Sequence, residues 1–322
     1  MIEEKIIIVE NLENPQRLDK YLKENVFKDV SRQEIVSLIK EGKILVNHQR
    51  IKPAKRLFGG ETIQLIDFSV KREEKDIIFP LELIPKIVYE NQDFLIIDKP
   101  SGLVVYPPNP RYQGPSLLSF LLDKYPFLKE IGEDKNRPAI VHRLDKETSG
   151  LMIIPKSNPA YFYFKNLFQE RKIEKRYLVL VKGKIPKKEG IINFPIGWSK
   201  TQRLKKKAVL NSSQKGKSKE AETYFRVLTY YDGATLIEAI PKTGRTHQIR
   251  VHLAAIGFPV IGDKIYGGKK KDLKLKPPRL FLHAHQLKFR GPDNINYEFE
   301  SPLPEDLKKI LEELKNKEES IK

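Results

Sequence analysis

Tyr177–Val181 (YLVLV) is an almost unbroken apolar run set between Lys175-Arg176 and Lys182. A short run rich in β-branched and aromatic residues predicts a strand buried on both faces. That places a sheet inside the core and makes strands the frame on which the rest must pack. Further strands are predicted over Phe94–Asp98, ended by Pro100 and Gly102, and over Thr235–Ala239. Helices are predicted over Leu117–Leu122 and over Tyr161–Phe168, with Asn158 as cap and Pro159 in the first turn. Another starts from Thr246 as cap, carries Ile249, Leu253 and Ile256 on one face and ends at Gly257. The tail Glu305–Lys322 reads as a polar helix that frays. The mix is α+β, with strands dominant.

A first domain is expected over 16–75. Leu18, Tyr21 and Leu22 have helical spacing. Ser31 and Glu34 form a capping box ahead of an apolar face of Ile35, Leu38 and Ile39, closed by Gly42. Ile44 and Val46 alternate in a short strand, and Gly59-Gly60 turn into a second strand, Thr62–Ile66. The charge run Lys71–Asp76 reads as a linker, leaving a second domain over 76–304 and the tail over 305–322.

Lys and Arg number 60 against 42 Asp and Glu, a net charge of +18. That excess points to a polyanionic partner, nucleic acid ahead of an anionic membrane. Within Lys200–Glu220, eight basic residues face the single acid Glu220, which reads as a phosphate-contacting arm. The absence of cysteine excludes disulfides, thiolate catalysis and Cys-based zinc sites. Glu3 and Glu4 precede only four apolar residues, so no signal peptide is expected, and no apolar run approaches the ~20 residues of a membrane span.

Ala139–Ser149 (AIVHRLDKETS) places Asp145 two residues after Arg143. A carboxylate beside a guanidinium stays ionised and can serve as nucleophile or base. Arg250 follows Ile249, about 100° round the helix on the shoulder of its apolar stripe, where a carboxylate partner such as Asp145 suits it. Tyr177 heads its strand after two cations, either as a core residue with a hydrogen-bonded tip or as a ring that stacks on a base or moves a proton. His247 and His252 lie five apart, about 140° round a helix, so these and the His283/His285 pair are expected to be structural, with no metal. The TGRT of Thr243–Thr246 lacks the pattern of a phosphate loop.

Taken in order, YENQDFLIIDKPSGLVVYP, AIVHRLDKETSGLMIIPKS, KRYLVLV, TGRTHQIRVHLAAIGFPVIGDKIYG and FLHAHQL resemble the pseudouridine synthases of RluA/RluD type, from Gln16 to about Phe289. The resemblance implies a mainly antiparallel mixed-sheet catalytic domain. It implies Asp145, Tyr177 and Arg250 as catalytic residues, and Arg143, His142, Leu282 and Arg245 as substrate-binding ones. Arg143 resembles a residue that fills the space of a flipped base, and Leu282 one that lines the uracil pocket. Asp145 would attack carbon 1′ or act as a base at the 2′ position. Tyr106 stands where a His is common.

The segment SRQEIVSLIKEGKILVNHQRIKPAKRLFGGETIQL resembles the alpha-L RNA-binding (S-four) module, a small α/β domain, with His48 replacing the usual Gly after Asn47. Arg17, Lys20, Arg32 and Lys40, with Arg203, Lys205 and Lys207 of the basic stretch, are the expected RNA contacts. RNA is the implied partner, ribosomal RNA ahead of transfer RNA, acted on by a cytoplasmic monomer that needs no cofactor, metal or membrane. The competing readings are a non-catalytic RNA-binding assembly factor and a metal-dependent hydrolase built on the histidine pairs.

Overall fold

The structure, a computed structural model, describes residues 5–27, 30, 32–66, 79–109, 112–198, 206–209, 218–267 and 277–319. The described residues between Met1 and Asp76, with those of Pro108–Tyr112, form one unit, and those of Ile77–Pro107 and Gln113–Lys322 form another. Ser31 of the expected capping box, the expected linker, and Arg203 and Lys205 lie outside the described residues.

The first unit contains β1 (Lys5–Ile8), β2 (Gln16–Arg17), α1 (Leu18–Tyr21), a π-helical turn (Leu22–Val26), α2 (Arg32–Lys40), β3 (Ile44–Val46), β4 (Gln49–Arg50), β5 (Arg56–Leu57) and β6 (Thr62–Leu65). An antiparallel sheet runs β1-β6-β3-β4, and β2 pairs with β5. Leu18, Leu22, Ile35 and Ile39 meet Ile44, Val46, Leu57 and Ile63 in one core. The compact unit also takes in a strand ahead of Gln16. Lys5–Ile8 pairs with Thr62–Leu65 along its whole length, and four residues are too few to show a period in the sequence. At the β3–β4 turn, Asn47 (φ 50°) and His48 (φ 62°) both take the left-handed conformation that a two-residue hairpin requires.

The second unit begins with β7 (Lys86–Glu90), β8 (Phe94–Lys99), α3 (Leu117–Lys124), β9 (Ser149–Pro155), α4 (Asn158–Gln169) and β10 (Glu174–Lys182). It continues with β11 (Glu189–Ile192), β12 (Ile196–Trp198), β13 (Lys206–Ala208), β14 (Ser218–Lys219), β15 (Thr223–Tyr231) and β16 (Ala234–Pro241). It closes with α5 (Gln248–Ala255), β17 (Leu282–Arg290), β18 (Asn296–Glu300) and α6 (Glu305–Glu319). Nine strands form one sheet in the order β11-β15-β16-β10-β17-β9-β8-β7, with β18 against β17. The β9–β17 contact is parallel, and the other pairings are antiparallel. β13, β12 and β14 form a separate small sheet.

Successive strand side chains point to opposite faces, and here both faces are apolar. Leu95, Ile97, Met152, Ile154, Tyr177, Val179 and Val181 face one side, against Leu117 and Leu121 of α3 and Ile249 and Leu253 of α5. Phe94, Ile96, Leu151 and Ile153 face the other, against Ala160 and Phe164 of α4. Leu180 shares that second side with Leu307, Ile310 and Leu314 of α6. Burying a large apolar side chain stabilises by roughly 1.5–3 kcal/mol. The expected frayed tail is thus a docked helix.

Three local expectations shift. Tyr177 is the fourth residue of β10, not its head. The cap of α4 is Ser157, whose Oγ accepts from the Ala160 N–H, while Asn158 Oδ1 accepts from the Gly132 N–H. Thr246 does not cap α5. The helix starts after His247, held at φ 58°, and carries no side-chain cap.

Candidate active site

Asp145 lies on the loop that leads into β9. The turn after β8 fixes that loop through its backbone. Gly102 N–H donates to the Lys146 carbonyl (2.8 Å), and Ser101 Oγ donates to the Glu147 carbonyl (2.8 Å). Lys99, fully buried, donates to the carbonyls of Pro100 (2.8 Å), Leu103 (2.9 Å) and Lys146 (3.3 Å). Burial lowers the Lys99 pKa to about 7, against the opposing pull of Asp145.

Strand register places the ring and the apolar wall. On β10 and β17, Tyr177 stands opposite Ala284 and Val179 opposite Leu282. Tyr177 and Leu282 therefore share the face that carries α5. Burial, and then the charge of Asp145, raise the Tyr177 phenol well above its ordinary range. It is a protonated hydroxyl at neutral pH.

Arg250 is 3% exposed and lies between two carboxylates. Its Nε and Nη2 donate to Asp263 Oδ2 (2.7 Å) and Oδ1 (2.9 Å), and its Nη1 donates to Asp145 Oδ2 (3.1 Å). Asp263 also accepts the N–H groups of Ile265 (2.8 Å) and Tyr266 (2.9 Å). Burial pushes the Asp263 carboxyl up, but the Arg250 bonds and charge and these amides overcome it, so the net shift is downward. Burial also opposes the charge on Arg250, yet Asp263 and then Asp145 raise its pKa overall. Behind Asp145, His247 Nε2 stands 3.9 Å from Oδ1, and His247 Nδ1 lies 3.0 Å from Tyr266 Oη. Burial lowers the His247 pKa although Asp145 opposes it, so the ring is neutral at neutral pH.

A cleft of about 1020 Å³ is lined by Asp145, Tyr177, Arg250, Arg143, His142, Leu282 and Arg245, together with Tyr106 and His247. The residues singled out from sequence for catalysis and substrate binding thus meet at one place. Arg143 reaches Tyr106, donating to its Oη at 2.5 Å with the guanidinium 5.0 Å from the ring centroid. His142 Nε2 accepts the Ile153 N–H (2.8 Å), and its ring stacks on Phe168 at 4.5 Å. Burial lowers its pKa to about 3, so His142 is a neutral wall of the cleft. Arg245 Nε donates to the Glu220 carbonyl (2.9 Å).

Two of the other histidines have their ring nitrogens occupied. His252 donates through Nε2 to the Phe194 carbonyl (2.9 Å) and accepts at Nδ1 from Thr223 Oγ1 (2.9 Å). His283 donates through Nε2 to the Ser301 carbonyl (3.2 Å) and accepts from Ser149 Oγ (3.0 Å). Among the described residues no three His, Asp or Glu side chains gather as a metal site requires.

The expected RNA contacts are less uniform. Arg17 and Arg32 both bind the buried Asp19, at 3.0 and 2.9 Å, so part of their charge is spent inside the fold. Lys20, Lys40 and Lys207 are all exposed, Lys20 standing 3.9 Å from Glu24.

The family model for RNA pseudouridylate synthase matches residues 93–255, which span the loop of Asp145, Tyr177 and Arg250. The chain belongs to the RNA pseudouridine synthase family. It is an isomerase of uridine in RNA, and residues 16–63 match the S4 domain. Among relatives of this RNA pseudouridine synthase, the ribosomal large subunit pseudouridine synthase D of Nitrosomonas europaea is 37% identical over 89% of this chain and 81% of its own. An uncharacterized RNA pseudouridine synthase of Aquifex aeolicus is 40% identical over 92% of both chains. The ribosomal large subunit pseudouridine synthase C of Vibrio parahaemolyticus is 32% identical over 92% of both. Among solved structures, human RNA pseudouridylate synthase domain containing 1 superposes with a TM-score of 0.55 at 26% identity, covering 74% of this chain and 98% of the other.

Asp263, Lys99 and His247 escaped the sequence reading. All three lie inside motifs quoted above, and the sequence marks His247 only as one of a structural pair. No spacing rule ties any of the three to Asp145.

Proposed function

We propose that this enzyme isomerises uridines of large-subunit ribosomal RNA in the cytoplasm, as a monomer and without a cofactor. Asp145 opens the glycosidic bond and remakes it. The observation that carries this reading is the Asp145 carboxylate, 17% exposed, held 3.1 Å from Arg250 in a cleft walled by Tyr177 and Leu282. The names of the curated relatives support the ribosomal substrate.

The target uridine leaves its stack and enters the cleft. Arg250 orients Asp145, and Asp263 positions Arg250. The bond from carbon 1′ to N1 breaks, the uracil turns, and a bond from carbon 1′ to carbon 5 forms. Carbon 5 loses a proton and N1 gains one, so atoms and charge balance with no redox partner. A phenol held protonated is a poor proton acceptor, so Tyr177 serves as the stacking ring and Leu282 as the apolar wall. Arg143 enters the space that the flipped base leaves. Residues 16–75 supply RNA affinity through Lys20 and Lys40, and to a lesser degree Arg17 and Arg32. Residues 76–304 carry the chemistry.

RNA labelled with tritium at uracil carbon 5 tests this directly. The wild-type chain releases tritium, and Asp145→Asn retains RNA binding but releases none. Release by the Asn variant at the wild-type rate overturns the assignment of Asp145.

A further inference from the structure

Trp198 is the only tryptophan in the chain, and it is 63% exposed. An exposed indole offers a flat aromatic face on which a nucleobase can stack. It ends β12, the central strand of the small sheet, directly opposite Lys206 of β13. Lys206 Nζ lies 3.2 Å from the Trp198 ring centroid, so an ammonium rests on the indole while most of the ring stays open. Lys219 of β14 stands opposite Ile196, two residues before Trp198 and hence on the same face. Burial and then the charge of Lys219 lower the Lys206 pKa, as expected for like charges held close.

This sheet is anchored to the cleft. Ile196 and Ala208 pack with Val251 of α5, the helix that carries Arg250. The Lys206 N–H donates to Tyr266 Oη (3.0 Å), which lies 3.0 Å from His247 Nδ1, and His247 Nε2 is 3.9 Å from Asp145. A ligand seated on Trp198 is therefore held at a fixed offset from the catalytic carboxylate.

We propose that Trp198, with Lys206 and Lys219, is a stacking platform for an unpaired base of the RNA substrate outside the catalytic cleft. This rests on the reading of the chain as an enzyme acting on RNA. Every nucleobase presents a π-face to an aromatic ring, and the adjoining phosphates meet the two lysines. An anionic single strand matches both features at once. An apolar peptide would offer the two ammonium groups no negative charge.

Because Trp198 is the only tryptophan, its emission reports this site alone. The full chain is titrated with an RNA hairpin that has an unpaired loop and uridine tritiated at carbon 5. Filter binding and tritium release are read in parallel. Quenching of Trp198 emission with the midpoint of filter binding is expected. Trp198→Ala should raise KM about tenfold while kcat changes far less, and Trp198→Phe should restore most of the loss. If the hairpin binds and is turned over but emission is unchanged and the Ala variant keeps the wild-type KM, the platform is overturned and the enzyme reading stands. If the wild-type chain neither binds nor turns over the hairpin, the enzyme reading falls and the platform with it.

Discussion

Arg250 serves two carboxylates with one guanidinium. The planar fork meets Asp263 through two donors, which leaves a single N–H for Asp145. Asp145 is thus oriented without being fully neutralised, which suits the nucleophile or base it is proposed to be. Asp263→Asn should break this arrangement from behind. Removing one partner of a buried ion pair costs about 3–5 kcal/mol, so the urea midpoint should drop markedly, and tritium release should slow. The same pair sets an acid limit. An unfolded Asp titrates near about 3.9, and the folded Asp263 carboxyl lies below its ordinary value because Arg250 and two amides outweigh burial. Its stabilisation is therefore complete above the unfolded value and is lost as pH falls through the depressed folded one. Wild-type stability should fall steeply across that acid window, and Asp263→Asn should fall less steeply there. Parallel urea-midpoint curves would remove Asp263 from the account.

At the level of elements, two contacts locate the loop of Asp145. One is the turn after β8, and the other is the parallel junction of β9 with β17 at Ser149 and Gly150. Gly150 (φ +117°) allows that junction, since a Cβ there would lie 2.2 Å from the Ala284 carbonyl oxygen. Gly150→Ala should therefore cost more than about 3 kcal/mol in thermal unfolding or prevent folding. Gly257→Ala (φ +88°), with nothing within 4 Å of the added Cβ, should cost only about 1–2 kcal/mol. Equal losses would mean that backbone conformation alone, and not the close approach, demands Gly150. The core strands β8 and β10 were legible because each is an apolar run bounded by charge, Pro or Gly. The docking of α6 was not. Leu307, Ile310 and Leu314 have helical spacing, but the polar residues around them hide the face they bury. The start of α5 was misplaced because His247, in a left-handed conformation usual for Gly or Asn, replaces a side-chain cap. Asp263 and Lys99 act through tertiary contacts, which local pattern does not encode.

At the scale of the molecule, each unit has its own hydrophobic core, so the proposed division of RNA affinity from chemistry can be tested by removing one unit. The net charge of +18 was a sound guide to a polyanion, but not every cation is available to it. Arg17 and Arg32 are exposed but engaged by the buried Asp19, whereas Lys40 is exposed with no such carboxylate shown beside it among the described residues. Deleting Met1–Lys75 should weaken binding to ribosomal RNA fragments and flatten the dependence of log affinity on log salt. Each lost phosphate contact should reduce the slope by roughly 0.7–0.9. Turnover of a minimal hairpin at saturation should change far less, because Asp145, Tyr177 and Arg250 all belong to the second unit. Within the full chain, Lys40→Gln should flatten the slope more than Arg17→Gln, whose guanidinium is already engaged. Filter binding across a salt series reads all three chains. An unchanged slope after the deletion would place the phosphate contacts wholly on the second unit and leave the basic residues of the first without the role given to them.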